Sequence, residues 1–218
     1  MDAPRVHVLL VLEPDDEESV DRYRGLVESA GAEPVVHAIV EGEIFDLVAI
    51  DSADGVFVGG GLTPAYHAAF TTIAPRVRER VASGMPYLGF SAGSAIAAAA
   101  AILGGYLLDG VAVCDEDAGE ELDDVTVAPG LALVPFAVDV HAAQWGTVSR
   151  LIAAVDAGLV TTGVAIDEDT VVRWRAGEPA TVPSVFGKGA AWQVTVADGA
   201  GSTGMVVNRR QEMPPTGG

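Results

Sequence analysis

The chain has 218 residues, half of them hydrophobic, and its 12 basic and 31 acidic side chains leave a net charge of −19. A field of that sign and size repels nucleic acid and anionic lipid, which sets both aside as partners, and it speaks to solubility before it speaks to function. A single cysteine (Cys114), no bilayer-length apolar run and no basic leader make a cytoplasmic chain without disulfides the expectation.

Val6–Leu12 is a continuous branched apolar run, the pattern of a strand buried on both faces of a parallel sheet. Asp15 and Asp16 can cap a helix running to about Ala30, with Gly31 as its stop. Val35–Val40 and Gly55–Val58 read as further strands, the latter running into Gly59-Gly60-Gly61. Thr63-Pro64 has the form of a helix start; Pro75 should break or kink that helix, and Gly84 should end it. Tyr87–Phe90 is a short apolar strand. Small residues of high helix propensity follow Ser91, through the alanines 97–101, and predict a helix there. Strands alternating with helices argue for an α/β fold on a parallel sheet.

The character changes after Leu103. Tyr106–Cys114 is strand-like, and seven of the ten residues Asp115–Asp124 are acidic. That run lacks both histidine and the spaced oxygen ligands of a calcium loop, so it reads as a solvated loop and no metal is expected. Pro129-Gly130 marks a turn, Val138–His141 a short strand end, and Gln144–Val155 a helix. Val160–Ile166 and Thr170–Trp174 are strand candidates. Val182–Phe186 and Ala190–Val196, separated by Gly187-Lys188-Gly189, read as a terminal hairpin. With no linker dividing the chain, one domain over residues 1–210 is expected, followed by a frayed tail at 211–218.

Gly89-Phe90-Ser91-Ala92-Gly93 is a Gly-x-Ser-x-Gly elbow between the predicted strand and helix. Such a turn pushes a serine hydroxyl out above the sheet, and its glycines remove side chains that would collide. Ser91 is therefore the candidate nucleophile, and the amide of Ala92 points where an oxyanion would form. Gly59-Gly60-Gly61 matches neither the dinucleotide fingerprint nor the phosphate loop, so its task beside a serine elbow is a second oxyanion donor.

A serine needs a base. His7 and His37 lie inside strands and read as structural, while His67 sits in a helix. His141 ends a strand, where catalytic groups collect in an open parallel sheet, and is favoured over His67. The acid that orients the imidazole can come from Asp167, Glu168 or Asp169 at another strand end, or from Asp139; spacing does not choose among them.

Four motifs in order, a strand ending in Gly-Gly, Gly-x-Ser-Ala-Gly, Gly-Leu-Ala-Leu-Val-Pro leading to Asp-Val-His, and Ile-Asp-Glu-Asp-Thr, resemble the serine peptidase family of dipeptidase E and cyanophycinase. The resemblance runs over about Asp54–Val196. It implies a fold like that of class I glutamine amidotransferases: a three-layer sandwich with a mostly parallel, flavodoxin-like sheet and helices on both faces, here with a C-terminal β-hairpin. It implies Ser91 as nucleophile, His141 as base and Glu168 as acid, with an oxyanion hole from the amides of Gly60 or Gly61 and of Ala92. It also implies a small-peptide substrate, aspartyl or β-aspartyl, and no metal or organic cofactor. A homodimer is left open.

The chain departs from the family at two places. Gly61-Leu62 stands where relatives carry polar residues, and Gln144-Trp145-Gly146-Thr147 stands where cyanophycinases carry Gln-Arg-Gly-Arg. Leu62, Asp139, Gln144 and Trp145 are accordingly the candidate substrate-binding positions. The alternative reading is a non-catalytic member of the same fold that binds a small molecule or a protein. An α/β-hydrolase esterase is disfavoured because its acid precedes its histidine, and a glutamine amidotransferase would need cysteine at the elbow.

Overall fold

In the computed structural model, which describes residues 3–13, 16–177, 184–199 and 202–211, the chain divides into two units. The first comprises Met1–Ala97 with Gly130–Leu133, and the second Ala98–Pro129 with Val134–Gly218.

The first unit is built on the predicted apolar strand, β1 (Arg5–Leu12), followed by α1 (Glu17–Ser29), β2 (Glu33–Val40), the short α2 (Val48–Asp51) and β3 (Gly55–Val58). Then come α3 (Thr63–Ala69), α4 (Ala74–Ala82), β4 (Tyr87–Gly89) and the single turn α5 (Ala92–Ala95). Asp16 caps α1, its side chain accepting from the Ser19 amide at 3.1 Å; the Ser19 side chain first, and this amide second, hold its carboxyl below the usual range. Asp15 lies outside the described residues. The strands pair in parallel in the order β2-β1-β3-β4. Alternate residues of β1 serve two cores: Val8 and Leu10 pack with Tyr23 and Val27 of α1, while Leu9 and Val11 pack with Ile50, Tyr66, Phe70 and Val77. Helices therefore cover both faces of this sheet. The helix that starts at Thr63 ends at Ala69, before Pro75 is reached, and Pro75 sits in the first turn of the next helix, where its missing N–H costs nothing.

The second unit contains β5 (Ala100–Gly104), the two-residue strands β6 (Leu107–Leu108) and β7 (Val111–Ala112), β8 (Thr126–Pro129), β9 (Ala137–Val140), α6 (Thr147–Asp156) and β10 (Thr162–Ile166). β11 (Thr170–Arg173), β12 (Ser184–Gly187), β13 (Ala190–Gly199) and β14 (Ser202–Gln211) complete it. β9 and β10 are parallel, β10 and β13 antiparallel, giving the order β14-β13-β10-β9. Leu151, Ala154 and Val155 of α6 pack on Ala137, Ala165 and Val194. Gly163 makes that approach feasible, since a Cβ there would lie 2.4 Å from Leu151 Cδ1.

Three expectations are corrected. The alanines 97–101 are not helical: the helix after Ser91 stops at Ala95, and Ala100–Gly104 is a strand. The Ile96 and Ala97 carbonyls accept from the amides of Leu131 and Leu133, and β5 pairs with β8, so non-local hydrogen bonds override local propensity. Tyr106–Cys114 is a tight hairpin rather than one strand, turning at Asp109 (φ 51°) and Gly110 (φ 75°). The segments around Gly187-Lys188-Gly189 do not pair with each other. β12 pairs with β11, and the terminal hairpin is β13–β14. Val182 and the residues beyond Gln211 lie outside the described residues.

No helix among the described residues is long and apolar enough to cross a membrane.

Candidate active site

Ser91 sits between β4 and α5 with φ 48° and ψ −112°, a backbone conformation that L-residues rarely adopt. Its surroundings force that bend. The Phe90 amide donates to the Val58 carbonyl at 2.9 Å and the Gly93 amide to the Gly59 carbonyl at 3.0 Å, tying both sides of the serine to the end of β3. Tyr87 Oη donates to the Gly93 carbonyl at 2.6 Å, and Ser94 Oγ to the Gly89 carbonyl at 2.7 Å. Burial pushes the Tyr87 hydroxyl well above its ordinary pKa, so it remains a donor at all working pH values. A Cβ at Gly89 would lie 2.4 Å from Gly93 O, and one at Gly93 2.4 Å from Val58 O. Both elbow glycines are sterically required.

Gly60 lies against the serine: a Cβ there would be 2.8 Å from Ser91 Cβ. Its amide, however, donates to the Tyr23 hydroxyl at 2.9 Å. Of the two glycines expected as alternatives for the second oxyanion donor, Gly60 has its N–H directed to the Tyr23 hydroxyl. Ala92 is the first residue of α5, where an amide has no partner within the helix.

In the second unit His141 follows β9 at φ 56°, and Glu168 follows β10. His141 Nδ1 and Glu168 Oε1 are 3.0 Å apart. Gln144 Oε1 accepts from the Glu168 amide at 3.0 Å, and the Trp145 ring stacks on the His141 ring.

A model of peptidase family S51 matches residues 12–181 of the chain. The chain belongs to peptidase family S51. This is the family of dipeptidase E and cyanophycinase, and membership makes the protein a peptidase, hence a hydrolase. No curated protein matched the chain.

The three carboxylates that follow β10 in this S51 member have different employment. Asp167 is 7 % exposed and turns inward, accepting from the amides of Ala143 and Ala190 and from Trp192 Nε1 at 2.9–3.1 Å. Asp169 faces solvent and pairs with Lys188. Only Glu168 of the three bonds to His141 among the described residues. Asp139, expected as a substrate contact, is buried, and Arg150 bonds both of its oxygens at 2.7 and 2.9 Å. That corrects the expectation, because a carboxylate so enclosed does not face a substrate. Burial alone would lower the Arg150 pKa, but the Asp139 carboxylate outweighs it and holds the guanidinium charged.

Leu62 caps α3 and is half-buried, and His67 lies in the last turn of α3. His7 and His37 contact each other inside the first unit, as strand histidines should. Among the described residues no group of three or more His, Cys, Asp and Glu is placed to hold a metal ion. Sequence reasoning missed Tyr23 and Arg150. Neither leaves a local signal, since each acts on a residue far away in the chain.

Proposed function

We propose that this S51 peptidase hydrolyses small peptides, aspartyl and β-aspartyl dipeptides foremost, through a Ser91–His141–Glu168 triad and an acyl-enzyme. The observation that carries the reading is the backbone of Ser91, strained at φ 48° between two glycines that admit no side chain. Strain of this kind costs on the order of 1–3 kcal/mol and persists where a function needs it. The parallel order β2-β1-β3-β4 supports the finer fold reading, the start of a flavodoxin-like sheet within a three-layer sandwich.

In this mechanism Ser91 Oγ attacks the scissile carbonyl carbon while His141 Nε2 takes its proton. Nδ1–H is held by Glu168, so the ring presents Nε2 as its basic nitrogen. The negative charge that develops on the carbonyl oxygen is met by the amides of Ala92 and Gly61. His141 then returns the proton to the leaving amine. Water, deprotonated by the same nitrogen, hydrolyses the acyl-enzyme.

The test is a panel of α- and β-aspartyl dipeptides, with dipeptides lacking aspartate as controls, offered to wild type and Ser91→Ala. Cleavage of aspartyl members by wild type alone is expected. Equal turnover by Ser91→Ala would remove the serine mechanism, and a preference for the control dipeptides would remove the aspartyl substrate class.

A further inference from the structure

The indole of Trp145 lies flat on the imidazole of His141, with ring centroids 4.2 Å apart and planes 16° from parallel. The backbone builds this contact in. The Trp145 amide donates to the His141 carbonyl at 2.8 Å, closing a turn that begins at the positive φ of His141. The preceding residue, Gln144, accepts from the Glu168 amide. One short turn thus carries the histidine, grips the backbone of its acidic partner and supplies the indole.

The imidazole is therefore held twice, at its edge by Glu168 Oε1 and on its face by Trp145. The His141 side chain is only 17 % exposed, whereas Trp145 is 44 % exposed. A tryptophan that open to solvent contributes little as core, so its stacked contact is the feature that needs a reason. A flat π face against an imidazole discriminates between protonation states: it attracts the cation through the ring quadrupole and gains much less from the neutral ring. Imidazolium is the form that appears when Ser91 gives up its proton.

We propose that Trp145 is a positioning residue for His141, fixing the plane of the imidazole and favouring the imidazolium formed during acylation. This rests on the reading of His141 as the general base. It replaces the substrate contact expected of Trp145 from the sequence.

The first readout needs no turnover. A protonated imidazole in contact with an indole quenches its emission far more than a neutral one does. Tryptophan emission is titrated between pH 8 and pH 5 in wild type, Trp145→Phe and His141→Gln. A quenching step on acidification is expected in wild type and in neither variant. The second readout is kinetic, on the best dipeptide of the panel. Trp145→Ala should lose about tenfold in kcat with KM nearly unchanged, the size expected of a partly exposed cation–π contact. The acidic limb of its kcat/KM profile should move to lower pH, because the ring no longer favours the proton. Trp145→Phe, which keeps an aromatic face, should recover most of kcat.

A quenching step that survives in His141→Gln overturns the proposal. So does a Trp145→Ala enzyme with wild-type kcat and a raised KM, which would make the indole a substrate contact. If wild type cleaves no peptide while the quenching step is intact, the functional reading fails and takes the proton-transfer role with it. The stacked pair itself would stand.

Discussion

His141 Nδ1 and Glu168 Oε1 stand 3.0 Å apart, which fixes the proton on Nδ1 and leaves Nε2 as the basic nitrogen. The Glu168 side chain is 48 % exposed, so the pair adds little to stability, and in the proposed triad its part is to orient the ring. Glu168→Gln keeps the shape but offers an amide that can donate to Nδ1 and select the other tautomer. We expect kcat to fall on the order of 10²–10⁴-fold with melting unchanged, the pattern of a lost triad acid. Wild-type kcat in this variant would take Glu168 out of the triad.

The backbone of Ser91 predicts a separation of stability from activity. Ser91→Ala and Ser91→Gly both remove the hydroxyl and should both be inactive. Only glycine is at ease at φ 48° and ψ −112°. Relief of about 1–3 kcal/mol of strain, less the extra chain entropy of glycine, leaves Ser91→Gly about 1 kcal/mol more stable than Ser91→Ala. Denaturant midpoints of the two variants measure it, and equal midpoints would mean that the elbow is unstrained.

Much of this architecture was legible in the sequence because glycine punctuates it. Gly55–Val58 has its predicted bounds, with a fully buried run closing on the triple glycine. The Gly-x-Ser-x-Gly elbow declares itself through the side chains it cannot accommodate. Non-local choices were not legible. The alanines 97–101 favour a helix locally, but Ala100–Gly104 finds a strand partner in Thr126–Pro129. Gly187-Lys188-Gly189 looks like a hairpin turn, yet a Cβ at Gly187 would lie 2.1 Å from Asp169 O, so the segment is wrapped against the turn after β10. Among Asp167, Glu168 and Asp169, side-chain direction alone decides which meets His141, and spacing carries no record of direction. The resemblance to a family singled out Glu168, and of these three carboxylates it is the one 3.0 Å from His141 Nδ1.

Close packing at the elbow makes Gly93→Ala costly. Its Cβ would stand 2.4 Å from the Val58 carbonyl and 2.9 Å from that of Gly59, both backbone groups that cannot swing aside. A loss of about 3 kcal/mol is expected. Gly25, inside α1 with nothing within 4 Å of the place a methyl would take, is the control. Gly25→Ala should gain about 0.5–1 kcal/mol from helix propensity. Urea titration of both variants tests the pair, and a neutral Gly93→Ala would mean that the elbow has room for a methyl after all.

Arg150 holds more than its partner Asp139. Its Nη1 also donates to the carbonyls of Gly105, at 3.2 Å, and Ala118, at 2.5 Å, binding both ends of a stretch that leads into the acidic run. Arg150→Met would leave a buried carboxylate and two carbonyls without this donor. We expect a loss of about 3–5 kcal/mol. Cleavage by a glutamate-specific protease at Glu116, Glu120 and Glu121 should become faster at the same time. A variant as stable and as resistant as wild type would show that Arg150 holds nothing in place.

The two strand histidines give the first unit an acid-sensitive contact. His7 Nδ1 is 3.0 Å from the Ala49 carbonyl, which can only accept, so Nδ1 carries a hydrogen. His37 Nε2, 3.0 Å from that same Nδ1, must then be an unprotonated acceptor. Burial, and secondly the neighbouring His7, pull the His37 pKa below its ordinary 6.5. Above pH 6.5 both the folded and the unfolded chain hold His37 neutral, and the contact is fully available. As the pH falls below that value the unfolded chain takes up a proton that the folded chain resists, so stability declines. Other groups titrate in the same range, and His37→Gln cancels them. The stability of wild type relative to His37→Gln should therefore shrink between pH 7 and pH 5 in denaturant titrations. A difference that stays constant across that interval would place the proton on His37 in the folded state as readily as in the unfolded one, and the contact would not be acid-sensitive.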